Sequence, residues 1–222
     1  MQAMEVEIWS DVVCPWCYLG KRRLEHALAQ FPQRDDVRVV WRSFELDPGA
    51  PARSEHTAKE RLAAKYGMTA EQVETSWARL TALAEAEGLE YHLDATQGGS
   101  SFDAHRLLQL ARTLGLQDAL HERLFRAYFS EGLALGDAET LARVAVEAGL
   151  PAGEVDGVLA SDRFAAEVRA DERRAYELGV NGVPFFALAG RYGVSGAQSV
   201  EHLLHALELA SSDSAGAEEG AP

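Results

Sequence analysis

Cys14 and Cys17, the only two cysteines among 222 residues, stand where a strand pattern hands over to a helical one. Before them, Met4 to Trp9 alternates and then runs apolar, as a short strand does. After them the apolar positions Leu19, Leu24, Ala27, Leu28 and Phe31 recur at helical spacing and stop at Pro32. Val37 to Phe44 is a β-branched and aromatic run, hence a second strand, closed by the loop chemistry of Asp47-Pro-Gly-Ala-Pro51. The opening therefore reads β-α-β.

A helical block of roughly 120 residues follows, from about Ser54 to Leu178. Thr69 with Gln72 forms a capping-box pattern ahead of Val73, Trp77, Leu80 and Ala84 on one helical face. Further stripes are Leu107, Leu110, Ala111 and Leu114, then Leu120, Leu124, Ala127 and Tyr128. Asp137 is placed to cap a helix carrying Leu141, Val144, Ala145 and Ala148, which ends at Gly149-Leu-Pro151. A last helix, about Asp162 to Leu178, closes at Gly179. Apolar residues at this spacing are core. Strand signal returns over Val183 to Ala189, turns at Gly190, and continues over Arg191 to Val194 as a hairpin. A final helix runs to about Ala210. The divisions expected are 1–53 and 179–210 for the β-α-β … β-β-α part, 54–178 for the helical insertion, and 211–222 for a disordered Ser/Ala/Gly/Glu tail.

Composition narrows the function classes. Lys and Arg total 21 against 35 Asp and Glu, a net charge of −14. A chain without a basic excess gains little from counterion release on nucleic acid or from an anionic membrane surface, so neither is an expected partner. No apolar run approaches the ~20 residues that span a bilayer. Met1 to Trp9 shows no basic start, apolar stretch or small-residue cleavage site, so a secretory signal is not expected and the default location is cytoplasmic. In that reducing compartment a lone C-x-x-C is more often catalytic or metal-binding than structural. Zinc needs about four ligands. There is no second C-x-x-C, and His202 and His205 lack finger spacing, so no metal is expected. An inert disulfide across so short a loop would constrain the unfolded chain little.

What remains is dithiol chemistry. At the first turn of a helix the Cys14 sulfur faces unpaired N–H groups and the positive end of the macrodipole, both of which favour a thiolate. Pro15 suits that turn because its missing N–H is not needed there. Cys17, one turn further in, is the resolving thiol.

The run Ile8-Trp-Ser-Asp-Val-Val-Cys-Pro-Trp-Cys-Tyr-Leu-Gly20, answered downstream by Gly182-Val-Pro-Phe185, resembles the DsbA-type thiol oxidoreductases of the thioredoxin superfamily, most closely their cytoplasmic FrnE-like branch. Matching stretches are Phe44-Glu-Leu-Asp-Pro48, Ser101-Phe-Asp-Ala-His-Arg-Leu107, Phe125-Arg-Ala-Tyr-Phe129 and Ser195-Gly-Ala-Gln198, so the resemblance covers about Val6 to Leu207. It implies an α/β fold: a thioredoxin fold interrupted by a large all-helical insertion. It also implies that Pro184 is a cis-proline beside the dithiol, leaving the Val183 backbone free to pair with an extended substrate.

Several residues depart from that pattern. Pro15-Trp16 stands between the cysteines where strongly oxidising periplasmic members have Pro-His, so a milder oxidant is expected. Ile8 occupies the position where many thioredoxin-fold enzymes bury an acid. There is no additional cysteine pair near the C-terminus, as some FrnE-like proteins have, so no relay between two disulfides can operate within the chain. Asp11 reads either as a proton shuttle or as a solvated loop carboxylate or turn residue, and the latter is expected. His105 likewise reads either as facing an interdomain cleft or as a helix-surface residue, the latter being expected. Trp41 is expected in the core, and Trp16 exposed beside the dithiol, where it could touch substrate.

Three function classes follow. The leading one is a protein disulfide oxidoreductase or isomerase: Cys14 attacks, Cys17 resolves, and Trp16, Val183 and Pro184 shape the substrate groove. It needs no cofactor, glutathione serving at most as redox partner, and its partners are thiol- or disulfide-containing proteins or small thiols. The second is a glutathione-dependent transferase or isomerase, because kappa-class transferases and hydroxychromene carboxylate isomerases resemble the same interrupted fold. Those enzymes typically carry Ser at the first cysteine position, which counts against it. The third is a redox-independent chaperone using the helical block.

Overall fold

The computed structural model describes residues 3–218. The chain divides into two compact units. One is built from the segment ending at Phe44 and the segment resuming at Asp171, and the other spans Glu45–Ala170.

In the first unit the opening strand β1 (Met4–Ser10) lies in the middle of a four-stranded sheet. It pairs in parallel with β2 (Val37–Ser43), in the register Ile8 opposite Trp41, and antiparallel with β3 (Phe185–Leu188), Ile8 opposite Phe186. β3 pairs antiparallel with β4 (Tyr192–Ser195), giving the order β2-β1-β3-β4. Helices α1 (Pro15–Gln30) and α9 (Val200–Glu218) pack on one another and on one face of this sheet. Their apolar stripes, Leu24, Ala27 and Phe31 with Leu203, Leu207 and Ala210, close over Val6, Ile8, Trp41 and Phe186. Pairing a parallel strand needs a crossover, and α1 supplies it. This is a thioredoxin-like α/β fold, entered and left through the helical insertion between β2 and β3.

Residues that alternation would place outward on β1 are buried as well. Glu7 and Trp9 meet the last turns of α8 (Ala165–Glu177). The Trp9 indole N–H donates to the Asp171 carbonyl at 2.8 Å, and Phe44 packs on Tyr176 with ring centroids 5.9 Å apart. Arg42 lies between Glu7 (2.7 Å) and Asp171 (3.1 Å), Arg174 reaches Glu7 at 2.6 Å, and the Ser43 N–H donates to the Asp171 carboxylate. These bonds move the divisions away from 53/54 and 178/179 to Phe44/Glu45 and Ala170/Asp171. The chain leaves the sheet where β2 ends, and rejoins it halfway along α8 rather than at Gly179.

The second unit is helical: α2 (Ala58–Tyr66), α3 (Ala70–Ala86), α4 (Phe102–Thr113), α5 (Gln117–Phe129), α6 (Ala138–Glu147), α7 (Ala152–Leu159) and the start of α8. Thr69 and Gln72 form the expected capping box, and Asp137 accepts from Thr140 N–H at 2.9 Å. A second box, Thr57 with Glu60, starts α2. Leu107, Leu120, Leu124, Phe125 and Leu141 are fully buried. Leu114 is not part of that stripe: α4 ends at Thr113, the chain turns at Gly115 (φ 70°), and Leu114 stays exposed. Arg106 is buried and donates to the carbonyls of Val158, Ser161 and Arg163, supplying donors that the end of α7 lacks.

Two other expectations shift. β3 begins at Phe185, after Pro184, which has no N–H to give the ladder. In the tail expected to be disordered, residues 211–218 continue α9: Ala210 is anchored in the core, and no proline occurs within 211–218. Residues 219–222 lie outside the described residues.

Candidate active site

The site forms where β1 runs into α1. Ser10 ends the strand and Asp11 follows it. The Cys14 N–H closes a turn onto the Asp11 carbonyl at 3.0 Å, and the Asp11 side chain accepts from the Val13 N–H at 3.4 Å. Cys14 then occupies the N-cap of α1 in an extended conformation (φ −96°, ψ 111°), with Pro15 at the first helical position. Its carbonyl accepts from Cys17 N–H (3.0 Å) and Tyr18 N–H (3.4 Å). The strand end thus places Cys14 at the mouth of α1, where its carbonyl rather than its sulfur caps the first turn.

Both cysteines are free thiols, Cys14 at 3% exposure and Cys17 at 0%. Burial pushes the Cys17 thiol well above the ordinary thiol range, and the hydrogen bond and proximity of the Cys14 sulfur push it the same way. The Asp11 N–H and the Ser10 hydroxyl, which donate to the Cys17 sulfur, oppose this without overcoming it. Cys17 is therefore a protonated thiol near neutral pH. On the other side, the Val183–Pro184 peptide bond is cis, and the Val183 carbonyl accepts from the Cys14 thiol at 3.5 Å. The Pro184 carbonyl is held by the Gly196 N–H at 2.8 Å, which ties this turn to the end of β4.

Cys14, Cys17, Asp11, Val183 and Pro184 thus come together within one unit. Trp16, in the first turn of α1, is 42% exposed, and Trp41 is in the core. Asp11 is not a solvated carboxylate. It is fully buried, because the turn it closes lies beneath the dithiol. His105 is not on a helix surface either: it is buried in α4 of the 45–170 unit. Two contributors went unread in the sequence. Ser10 follows the strand run with no role of its own in the pattern, yet its hydroxyl reaches Cys17. Gly20, a glycine inside a helix, was the visible signal for a close approach: its Cα faces the Pro184 ring.

Among the described residues no helix is long and apolar enough to cross a membrane. A probable DsbA oxidoreductase from Streptomyces coelicolor superposes with a TM-score of 0.90 at 51% identity, covering 93% of this chain and 89% of that one. The cytosolic disulfide reductase DsbM from Pseudomonas aeruginosa, with GSH, shares the fold at a TM-score of 0.64 and 18% identity, over 92% of this chain and 98% of its own. The uncharacterized protein YwbO of Bacillus subtilis (strain 168) is 26% identical over 187 residues, 83% of this chain and 86% of YwbO. The DSBA-like thioredoxin domain matches residues 5–208, nearly the whole described chain. A dithiol at the mouth of α1, a facing Val-Pro turn, and this match along both units lead to one conclusion: the chain belongs to the DSBA-like thioredoxin domain family.

Proposed function

We propose that this protein is a thiol–disulfide oxidoreductase in which Cys14 attacks and Cys17 resolves. The observation that carries the reading is the inequality of the two sulfurs. Cys17 is wholly buried and held as a thiol, whereas Cys14 sits at the N-cap of α1 beside the Val183 carbonyl. The thiolate is the nucleophile. The Cys14 thiolate attacks one sulfur of a substrate disulfide; that S–S bond breaks, and the departing sulfur takes up a proton. Cys17 then gives up its proton and attacks the Cys14 sulfur of the mixed disulfide. This forms the Cys14–Cys17 disulfide and releases the second substrate thiol. The substrate gains two electrons and the enzyme loses two; running backwards, the same steps oxidise a dithiol, and stopping midway permits isomerisation.

The Val183 backbone, beside Cys14, is the pairing point for an extended substrate, and Trp16 is the exposed apolar surface next to it. The Asp11 carboxylate accepts from the Val13 N–H and so helps fix the turn that carries Cys14. A cytosolic disulfide reductase of the same fold is known with GSH, which supports cytoplasmic residence and glutathione as redox partner.

The test combines a glutathione titration with trapping. Wild type should show one two-electron transition within the span of about −120 to −270 mV seen across thioredoxin-fold enzymes. Cys14→Ser should lose exchange on the order of 1,000-fold, the nucleophile being gone. Cys17→Ser should accumulate a mixed disulfide, and Asp11→Asn should stay within about 3-fold, because an amide oxygen accepts equally well from the Val13 N–H. Full exchange by Cys14→Ser would end this reading. A stable glutathione adduct on wild type, with turnover surviving loss of Cys17, would favour a glutathione-dependent transferase instead.

A further inference from the structure

Glycine weakens a helix interior relative to alanine, so a glycine there needs a reason. Gly20 sits in the second turn of α1, three residues after Cys17, and its backbone is ordinary helix. The reason is space. A Cβ built on Gly20 would lie 2.9 Å from Pro184 Cγ, 3.5 Å from Pro184 Cβ and 3.3 Å from Phe186 Cζ. The first distance is shorter than real side chains show, and none of these neighbours yields easily. Phe186 is buried in the sheet core, and the pyrrolidine ring has no rotamer to escape into. α1 cannot retreat either, because Leu24, Ala27 and Phe31 fix it against the sheet and α9.

The Val183–Pro184 turn is held by a backbone bond from the Gly196 N–H to the Pro184 carbonyl and by the Cys14 thiol on the Val183 carbonyl. We infer that Gly20 is a positioning residue for exchange. By presenting no side chain, it lets the Pro184 ring rest on α1, and that seat holds the Val183 backbone beside the Cys14 sulfur. A methyl group at position 20 pushes the turn outward and displaces the Val183 carbonyl from Cys14. The substrates that feel this are disulfides within an extended polypeptide, which must pair with the Val183 backbone. A small disulfide that needs only the sulfur is spared.

This inference rests on the oxidoreductase reading above, and the test separates the two. Reduced wild type and Gly20→Ala are reacted with a disulfide-bonded extended peptide and with a small neutral disulfide, each alone and in a Pro184→Ala background. Gly20→Ala should slow the peptide reaction by about 10-fold or more and the small-disulfide reaction by less than about 2-fold, since only the paired substrate uses the displaced backbone. In the Pro184→Ala background, where the ring is absent, adding Gly20→Ala should change neither rate further, the non-additivity expected of touching residues. If wild type reacts with neither disulfide, the oxidoreductase reading fails. If wild type reacts and Gly20→Ala matches it on the peptide, or slows both substrates equally, or acts undiminished without the ring, the assignment of Gly20 fails. Should Gly20→Ala alone not fold, the double variant must melt cooperatively like Pro184→Ala. A double variant that also fails to fold overturns the assignment.

Discussion

Cys17 shows how one buried atom links chemistry to stability. Desolvation raises its thiol well above the ordinary range, with Cys14 adding to that. In an unfolded chain the same thiol ionises near pH 8.5. The folded, reduced protein therefore binds a proton that the unfolded chain releases above that value. The stability tied to Cys17 is complete below about pH 8.5 and is lost as pH rises toward the raised folded value, with a slope of up to about 1.4 kcal/mol per pH unit. Urea midpoints of the reduced protein between pH 7 and 10, compared with Cys17→Ala, should diverge above about pH 8.5, wild type falling faster. Parallel curves would mean that Cys17 ionises as readily in the fold as outside it. The cysteine spacing and Pro15 made this residue legible as the resolving thiol. The donors beneath it, Ser10 and the Asp11 N–H, were not, because their approach to the sulfur depends on how β1 ends.

Among the elements, α8 differs most from its sequence pattern. Read alone it is one more amphipathic helix of the insertion, but its last turns belong to the sheet unit. Asp171 takes the Arg42 guanidinium and the Ser43 N–H on its carboxylate, and Trp9 on its carbonyl. Burial works against the Arg42 charge, but Asp171 and Glu7 outweigh it and leave the guanidinium held more firmly protonated than usual. Asp171→Ala would remove the carboxylate that accepts from the buried Ser43 N–H and take one of the two carboxylates from Arg42, which keeps Glu7, so a loss of about 1–3 kcal/mol is expected from denaturant midpoints at neutral pH. A change below about 0.5 kcal/mol would place this cluster among ion pairs that contribute little. Nothing in the local pattern announced the cluster. Glu7, Arg42, Asp171 and Arg174 each look like surface charges, and they meet only because β1 is central and both of its faces are covered. Capping is the opposite case: Thr69, Gln72 and Asp137 act within four residues, so their roles were plain from spacing.

Across the whole molecule the net charge of −14 sets the long-range field. Glutathione disulfide is an anion, so its approach to reduced protein should be slowed at low salt and freed as screening shortens the Debye length from about 30 Å at 0.01 M to a few ångströms near 1 M. Oxidation by glutathione disulfide is expected to speed up by roughly 2–5-fold between 0.01 and 0.3 M salt, and by a neutral disulfide hardly at all. A rate that falls with salt would mean that positive charge local to the dithiol outweighs the overall charge.

That Val183-Pro184 faces the dithiol in an interrupted thioredoxin fold was what the family resemblance implied; the order of elements, most of the helical stripes and the dithiol itself were determined by the residues alone. All of these rest on periodicity, on capping within one turn, or on residues whose chemistry is distinctive wherever they lie. The tertiary structure decided what depends on which surfaces meet. It buried Asp11 and His105, moved the unit boundary into α8, ended the stripe before Leu114 and carried α9 on through 211–218. It also set the Pro184 ring on Gly20. A local pattern says which face of an element is apolar, but not which other element will cover it, and burial, ion pairing and close approach follow from that second fact.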